Sequence, residues 1–171
     1  MYRIIGFVCL AAILAFALPA QANSIWFADE ANFKQVNSDT SQVNLSLSLP
    51  EVKTGAVDSK TGTVWALTEA KLVRYGPTGS LLGTLDLQPL GVKEAKQLTL
   101  DPYDSSVWVA GGSSLLHVRG DGMLLGAYTC PGKINSLALA LDESLWALGD
   151  TQHWRYSRNG ALLSSYNLSG L

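Results

Sequence analysis

The sequence predicts an all-β fold built from tandem copies of one small antiparallel sheet, and three observations predict it. Tryptophan recurs at positions 26, 65, 108 and 146, at intervals of 39, 43 and 38 residues. Each sits in a similar phrase: Ser24-Ile25-Trp26-Phe27-Ala28, Thr63-Val64-Trp65-Ala66-Leu67, Ser106-Val107-Trp108-Val109-Ala110 and Ser144-Leu145-Trp146-Ala147-Leu148. A period near 40 marks an array whose units each bury a face only against the next unit. Finally, β-branched and aromatic residues gather in short runs, while glycine or proline interrupts nearly every window long enough for a helix.

Each unit reads as four short strands. The tryptophan strand is followed by a second strand, Leu72-Val73-Arg74-Tyr75 in one copy, and by a third from Leu81 to Leu87. Arg74-Tyr75, His117-Val118 and Arg155-Tyr156 occupy one equivalent position, as do the apolar pairs Leu81-Leu82, Leu124-Leu125 and Leu162-Leu163. Between these strands stand Gly76-Pro77-Thr78-Gly79, Arg119-Gly120-Asp121-Gly122 and Ser157-Arg158-Asn159-Gly160. Such turns require positive φ, which glycine adopts without steric cost. Unit one departs, with Thr40 at the glycine position and Gln42-Val43 at the apolar pair. The fourth strand precedes the tryptophan and ends in Asp58, Asp101 or Asp142, read as Asx-type turn residues. Four strands of about five residues in a 40-residue unit is the size of one propeller blade.

The count is three strands and then three sets of four, about fifteen, because the chain opens directly on a tryptophan strand. The expectation is a β-propeller-like array of about four blades, incomplete or open, each later blade a four-stranded antiparallel sheet. An open array leaves terminal blades uncovered, so self-association through open blade edges is expected.

The phrase Val-Trp-Ala-Leu, then Leu-x-Arg-Tyr, a turn ending in Gly, and Leu-Leu resembles NHL-type repeats. It is also similar to the blades of streptogramin lyase-like propellers. The resemblance covers roughly residues 24–168 and implies a propeller fold, on which many activities occur. For the lyase-like enzymes it implies His and Glu residues reaching a central opening with a bound metal. No unit after the first tryptophan strand shows that His-and-Glu pair, so the activity is not carried over. Gluconolactonase-like propellers require a carboxylate and amide cluster around a divalent ion, which cannot be assigned here.

Residues 1–22 read as a cleaved export signal. Arg3 precedes an apolar run from Ile4 to Leu18, Pro19 breaks it, and Ala20-Gln21-Ala22 has the A-x-A form of a cleavage site. The run is short for a membrane span of about 20 residues, so no stable membrane anchor is expected. Residues before Cys9 form no lipobox. The domain is then 23–171, exported to a periplasmic or extracellular compartment, with 149 residues and 11 basic against 14 acidic groups. A net charge of −3 without clustered Lys and Arg excludes nucleic acid and a charged membrane surface as natural partners. Cys130 alone remains, matching Leu87 and Leu168, and reads as a small buried hydrophobe. Asn44-Leu45-Ser46 and Asn167-Leu168-Ser169 match glycosylation sequons, which matter only in a eukaryotic secretory route.

Catalytic patterns are absent from the sequence: there is no H-E-x-x-H, C-x-x-C, G-x-S-x-G or phosphate-binding glycine loop. Gly111-Gly112-Ser113-Ser114 joins two strands and reads as a tight turn. His117 reads as a strand-face polar residue and the tryptophans as wedges between blades, whereas Trp154 has no aromatic counterpart and is a candidate for exposure. No cofactor, metal or catalytic residue is expected. Binding is expected instead from the loops at one end of the array, which carry Glu51, Lys53, Glu69, Lys93, Lys96, Lys133, Asn135, Asp150 and His153. Asp150 and His153 are read together in the loop after the last tryptophan strand, and Gln88 to Lys96 is the longest loop. Long loops on a rigid sheet commonly carry recognition. The expected function is non-catalytic binding of a protein, peptide or glycan. The alternatives are a metal-dependent lyase or lactonase of the propeller type, or a fragment of a longer propeller.

Overall fold

The computed structural model describes residues 24–29 and 31–168. The proposed export segment 1–22 with Cys9, and Ser169 of the second sequon, lie outside the described residues. Among the described residues, fifteen strands form four antiparallel sheets. The first contains β1 (Ser24–Ala28), β2 (Asn32–Asn37) and β3 (Val43–Ser48). The second contains β4 (Thr54–Val57), β5 (Val64–Leu67), β6 (Lys71–Tyr75) and β7 (Leu81–Asp86). The third contains β8 (Gln97–Leu100), β9 (Val107–Gly111), β10 (Ser114–Val118) and β11 (Leu124–Thr129). The fourth contains β12 (Ser136–Leu139), β13 (Leu145–Leu148), β14 (Gln152–Tyr156) and β15 (Leu162–Asn167). Each sheet is a meander in chain order, and β4, β8 and β12 lie side by side as the inner strands. The architecture is an open, propeller-like array of four blades, as the repeat predicts.

Equivalence between blades extends to the register. Trp26 faces Gln35, Trp65 faces Arg74, Trp108 faces His117 and Trp146 faces Arg155 across the central strand pair. A bulge follows each of those four partners, between Gln35 and Val36, Arg74 and Tyr75, His117 and Val118, and Arg155 and Tyr156. A bulge adds a residue to one strand and raises its twist, so the outer strand of every blade is turned in the same way.

Alternation along each strand separates two faces. Trp65, Leu67 and Leu72 of blade two pack with Val107, Val109, Leu116 and Val118 of blade three. Trp108, Ala110 and Leu115 of blade three pack with Leu145, Ala147, Trp154 and Tyr156 of blade four. Between blades one and two, Phe33 and Trp26 meet Val64, Ala66, Val73 and Tyr75. Each core is thus the forward face of one blade closed by the back face of the next. The tryptophan wedge is borne out at Trp65 and Trp108, which are buried, whereas Trp26 is half-buried against the core between blades one and two.

Three local expectations are corrected. The αL residue of the first hairpin is Ser41, φ 56°, not Thr40. That turn is one residue longer, with Asn37 N donating to Gln42 O where Gly76 N donates to Ser80 O, so Val43 rather than Gln42 takes the place of Leu81, and Asn44 that of Leu82. Asp142 is not the equivalent of Asp58 and Asp101. Ala140 N donates to Ser144 O in the role of Asp58 N to Thr63 O and Asp101 N to Ser106 O. All three aspartates nevertheless accept a main-chain N–H two residues on, as Asx turns require. Trp154 is buried rather than exposed. It lies on the back face, and its indole fills space left by Gly132 and Gly149, where a Cβ would sit 2.8 Å from the ring.

Cys130 is buried as expected, and Cys130 N donates to Ser113 O as Leu87 N does to Ala70 O and Leu168 N to Thr151 O. Its sequence equivalence to the two leucines is therefore also a structural one.

Candidate functional site

Crossovers from an outer strand to the next inner strand all pass over one end of the array, against the β5–β6, β9–β10 and β13–β14 loops. Main-chain bonds link them in series. Lys53 N donates to Leu67 O, Ala95 N to Glu69 O, Lys96 N to Ala110 O, Ile134 N to Gly112 O and Asn135 N to Leu148 O. Apolar anchors fix the same segments: Val92, Ala95 and Ile134 are buried, and Val52 is half-buried. The long segment 88–96 is therefore no free loop. It carries a short 3₁₀ turn, Gln88–Leu90, closed by Gly91 at φ 82°. Gly111 lets it approach, since a Cβ there would lie 2.6 Å from Lys93 O.

Eight of the nine predicted residues, Glu51, Lys53, Glu69, Lys93, Lys96, Lys133, Asn135 and Asp150, are exposed along this rim. Glu51 holds a left-handed conformation at φ 63°. Lys53 and Glu69 form an ion pair at 3.1 Å, and Asn135 Nδ2 donates to Asp150 Oδ1 at 2.6 Å. These two contacts are equivalent. Lys53, Lys96 and Asn135 each immediately precede an inner strand, and Glu69, Gly112 and Asp150 each stand four residues after a tryptophan. In the middle copy the acidic partner is replaced by Gly112, and Lys96 Nζ instead lies 3.4 Å from its exposed neighbour Glu94. The sequence reading named Lys96 but missed this gap; aligning the fourth residue after each tryptophan exposes it.

His153 is the ninth, and its placement in the loop is corrected. It belongs to β14, opposite Leu148, with its ring 4.8 Å from Tyr166 and 5.4 Å from Trp146. Asp150 bonds to Asn135 rather than joining it. Strand period explains the difference: Gln152 begins the pairing, and the aromatic neighbours hold the imidazole on the sheet face. Among the described residues, no three His, Cys, Asp or Glu side chains stand close enough to hold a metal ion.

His117 is a second polar feature, at the opposite end. Its ring stacks on Trp108 at 4.0 Å and 7°, and Nε2 lies 2.8 Å from Ser106 Oγ. Arg155 repeats the arrangement, with its guanidinium 5.7 Å from the Trp146 ring and Nε donating to Ser144 Oγ. The Ser–His pair is thus a repeated strand-face motif, and Asp104, which accepts from Ser106 N, does not orient the imidazole. A shallow cleft of about 280 Å³ lies beside His117, Asp104 and Arg158.

Burial pushes the His117 pKa below 6.5; Asp104 and Asp101 oppose this, and Arg158 adds to it. The folded protein therefore holds the imidazole neutral while the unfolded chain protonates near 6.5, so stability is lost as pH falls from 6.5 through the folded value. The unfolding free energy is expected to decline as the pH falls below 6.5, and His117→Gln is expected to flatten that decline. A pH-independent difference between the two proteins in denaturant titrations would refute the assignment.

No family model and no curated protein matches the sequence. Solved structures do match in fold. A protein of unknown function from Bacteroides caccae superposes with a TM-score of 0.62 at 14% identity, over 86% of this chain and 58% of its own. Kuenenia stuttgartiensis hydrazine synthase superposes with a TM-score of 0.74 at 8% identity, over 86% of this chain and 46% of its own. The chain spans about half the length of the structures it matches. At such identities the likeness concerns fold alone.

Proposed function

We propose that the chain is an exported, NHL-type propeller repeat module that recognises a polypeptide through its crossover end. The reading rests on one observation: three blades present polar side chains, Lys53, Lys96 and Asn135, in equivalent places on hydrogen-bonded backbone, and the middle place lacks its acid. Lys96, with Lys93 in the same crossover and Lys133 in the next, is the position where an acidic side chain of a ligand completes the series that Lys53–Glu69 and Asn135–Asp150 complete internally. Rigid backbone suits this task, because little ordering entropy is lost on binding.

Selection of a displayed random-peptide library on the chain is expected to enrich peptides containing Asp or Glu. Lys96→Glu is expected to weaken those peptides by about tenfold or more, the scale of one well-placed charge contact. Gly112→Asp, at φ 59° where Asp is tolerated, is expected to compete by supplying the missing carboxylate. Enrichment of defined oligosaccharides instead would favour a glycan ligand. Stoichiometric divalent metal in the purified protein would favour a lyase or lactonase. Peptide binding indifferent to both substitutions would refute the rim as the site.

A further inference from the structure

We infer that the forward face of blade four is a docking surface for the back face of blade one from a second copy of this chain, and the reverse, closing a two-copy ring. This goes beyond the ligand-binding reading and does not rest on it. Every forward face covered within the chain is covered by the same kind of surface, a blade back face, so the structure itself specifies the occupant.

Among the described residues no blade covers the forward face of blade four, which keeps the same pattern. Trp146 and Leu148 stand where Trp65 and Leu67 are buried in blade two, and Tyr166 stands where Tyr128 packs in blade three. Leu148 and Tyr166 are 44% and 54% exposed, and Trp146 is half-buried. Tyr166, His153 and Trp146 form an aromatic ladder across the strands.

Blade one keeps the complementary pattern. Ile25, Phe27 and Val36 occupy the positions of Val64, Ala66 and Tyr75, which close blade two onto blade one. Ile25 and Phe27 are 51% and 42% exposed. Lys34 replaces the fourth apolar residue, Val73, and is neutralised by Asp29. Apolar residues held at interface positions while uncovered are the mark of an association surface. The rim contact must be looser than the internal one. Ser41 and a longer turn stand where Gly160 allows Tyr128 to pack.

The contact is heterologous, one face meeting a different face, so two copies must exchange both faces to close. Four blades from each would give about eight, within the range at which propellers close.

Sedimentation of the chain tests this, using Phe27→Asp and Leu148→Asp, both at exposed side chains whose replacement should leave the fold intact by circular dichroism. The wild type is expected to be dimeric at micromolar concentration. Each variant is expected to be monomeric, with association weakened by at least about tenfold. An equimolar mixture of the two is expected to dimerise again, because one supplies an intact forward face and the other an intact back face. A monomeric wild type would overturn the inference. So would a variant that dimerises alone, which indicates pairing of like faces, or growth beyond two copies. Peptide binding at Lys96 is measured separately and is unaffected by either result.

Discussion

Replacing Trp108 by alanine is expected to cost about 3–5 kcal/mol of folding stability, the range for deleting a large buried aromatic. Its indole is fully buried in the core between blades three and four, beside Tyr128 and under the stacked imidazole of His117. Removing it leaves a cavity bounded by two sheets that are each held by their own ladders and cannot collapse freely. The equivalent Trp146→Ala is expected to cost less than about 2 kcal/mol, because one side of that ring already faces outward and less apolar area returns to water. Denaturant titration at a concentration too low for association gives both values. Equal losses would show that the tryptophans are not graded by the presence of a following blade.

Gly160→Ala should rank next, at about 2–5 kcal/mol. Two terms combine there: the residue sits at φ 79°, and its Cβ would lie 2.0 Å from the Tyr128 ring. A left-handed conformation costs a non-glycine residue roughly 1–2 kcal/mol, and overpacking a tight contact about 1–3 kcal/mol. Tyr128 cannot step aside easily, since its hydroxyl donates to Asn159 O and its ring lies across Gly126. Gly91→Ala is the control. It has φ 82° but nothing within 4 Å of the added methyl, so only the conformational cost, about 1–2 kcal/mol, should remain. Combining Gly160→Ala with Tyr128→Ala is expected to recover part of the loss. A double-variant cycle showing no coupling between these positions would mean the ring and the hairpin do not press together.

Fold class, strand count and blade boundaries were legible because they follow from backbone periodicity. Val64-Trp65-Ala66-Leu67 and its counterparts recur at a near-constant interval, which marks the strands, whereas a phrase apolar throughout leaves the assignment of its two faces to the packing. The first hairpin was misread by one residue because its left-handed position is Ser41, and serine announces positive φ far less clearly than glycine. Asp142 was misaligned for a related reason: its turn is shorter, and Glu143 at φ 62° takes the place held by Gly62. Trp154 was unreadable from its own strand. The space it fills is set by Gly132 and Gly149, which lie outside its strand.

The candidate rim divides in the same way. Exposure of Glu51, Lys53, Glu69, Lys93, Lys96, Lys133, Asn135 and Asp150 follows from polar residues in the crossovers and in the β5–β6 and β13–β14 loops. Which of them pair depends on the stagger between a crossover and the loop it passes, a tertiary property. His153 shows the limit: β14 begins at Gln152, so the imidazole belongs to the sheet, where aromatic neighbours claim it.

Blade three, like blade two, has both broad surfaces occupied, one by blade two and the other by blade four. Because its leading side resembles that of blade two and its trailing side that of blade four, a duplicated copy of this leaf would find suitable partners on either flank. Interfaces between neighbours are nearly additive in such arrays. Lengthening by one leaf through tandem duplication would then require a single new junction, the leading side of this leaf against its own trailing side, and arcs of different span become accessible from the same parts.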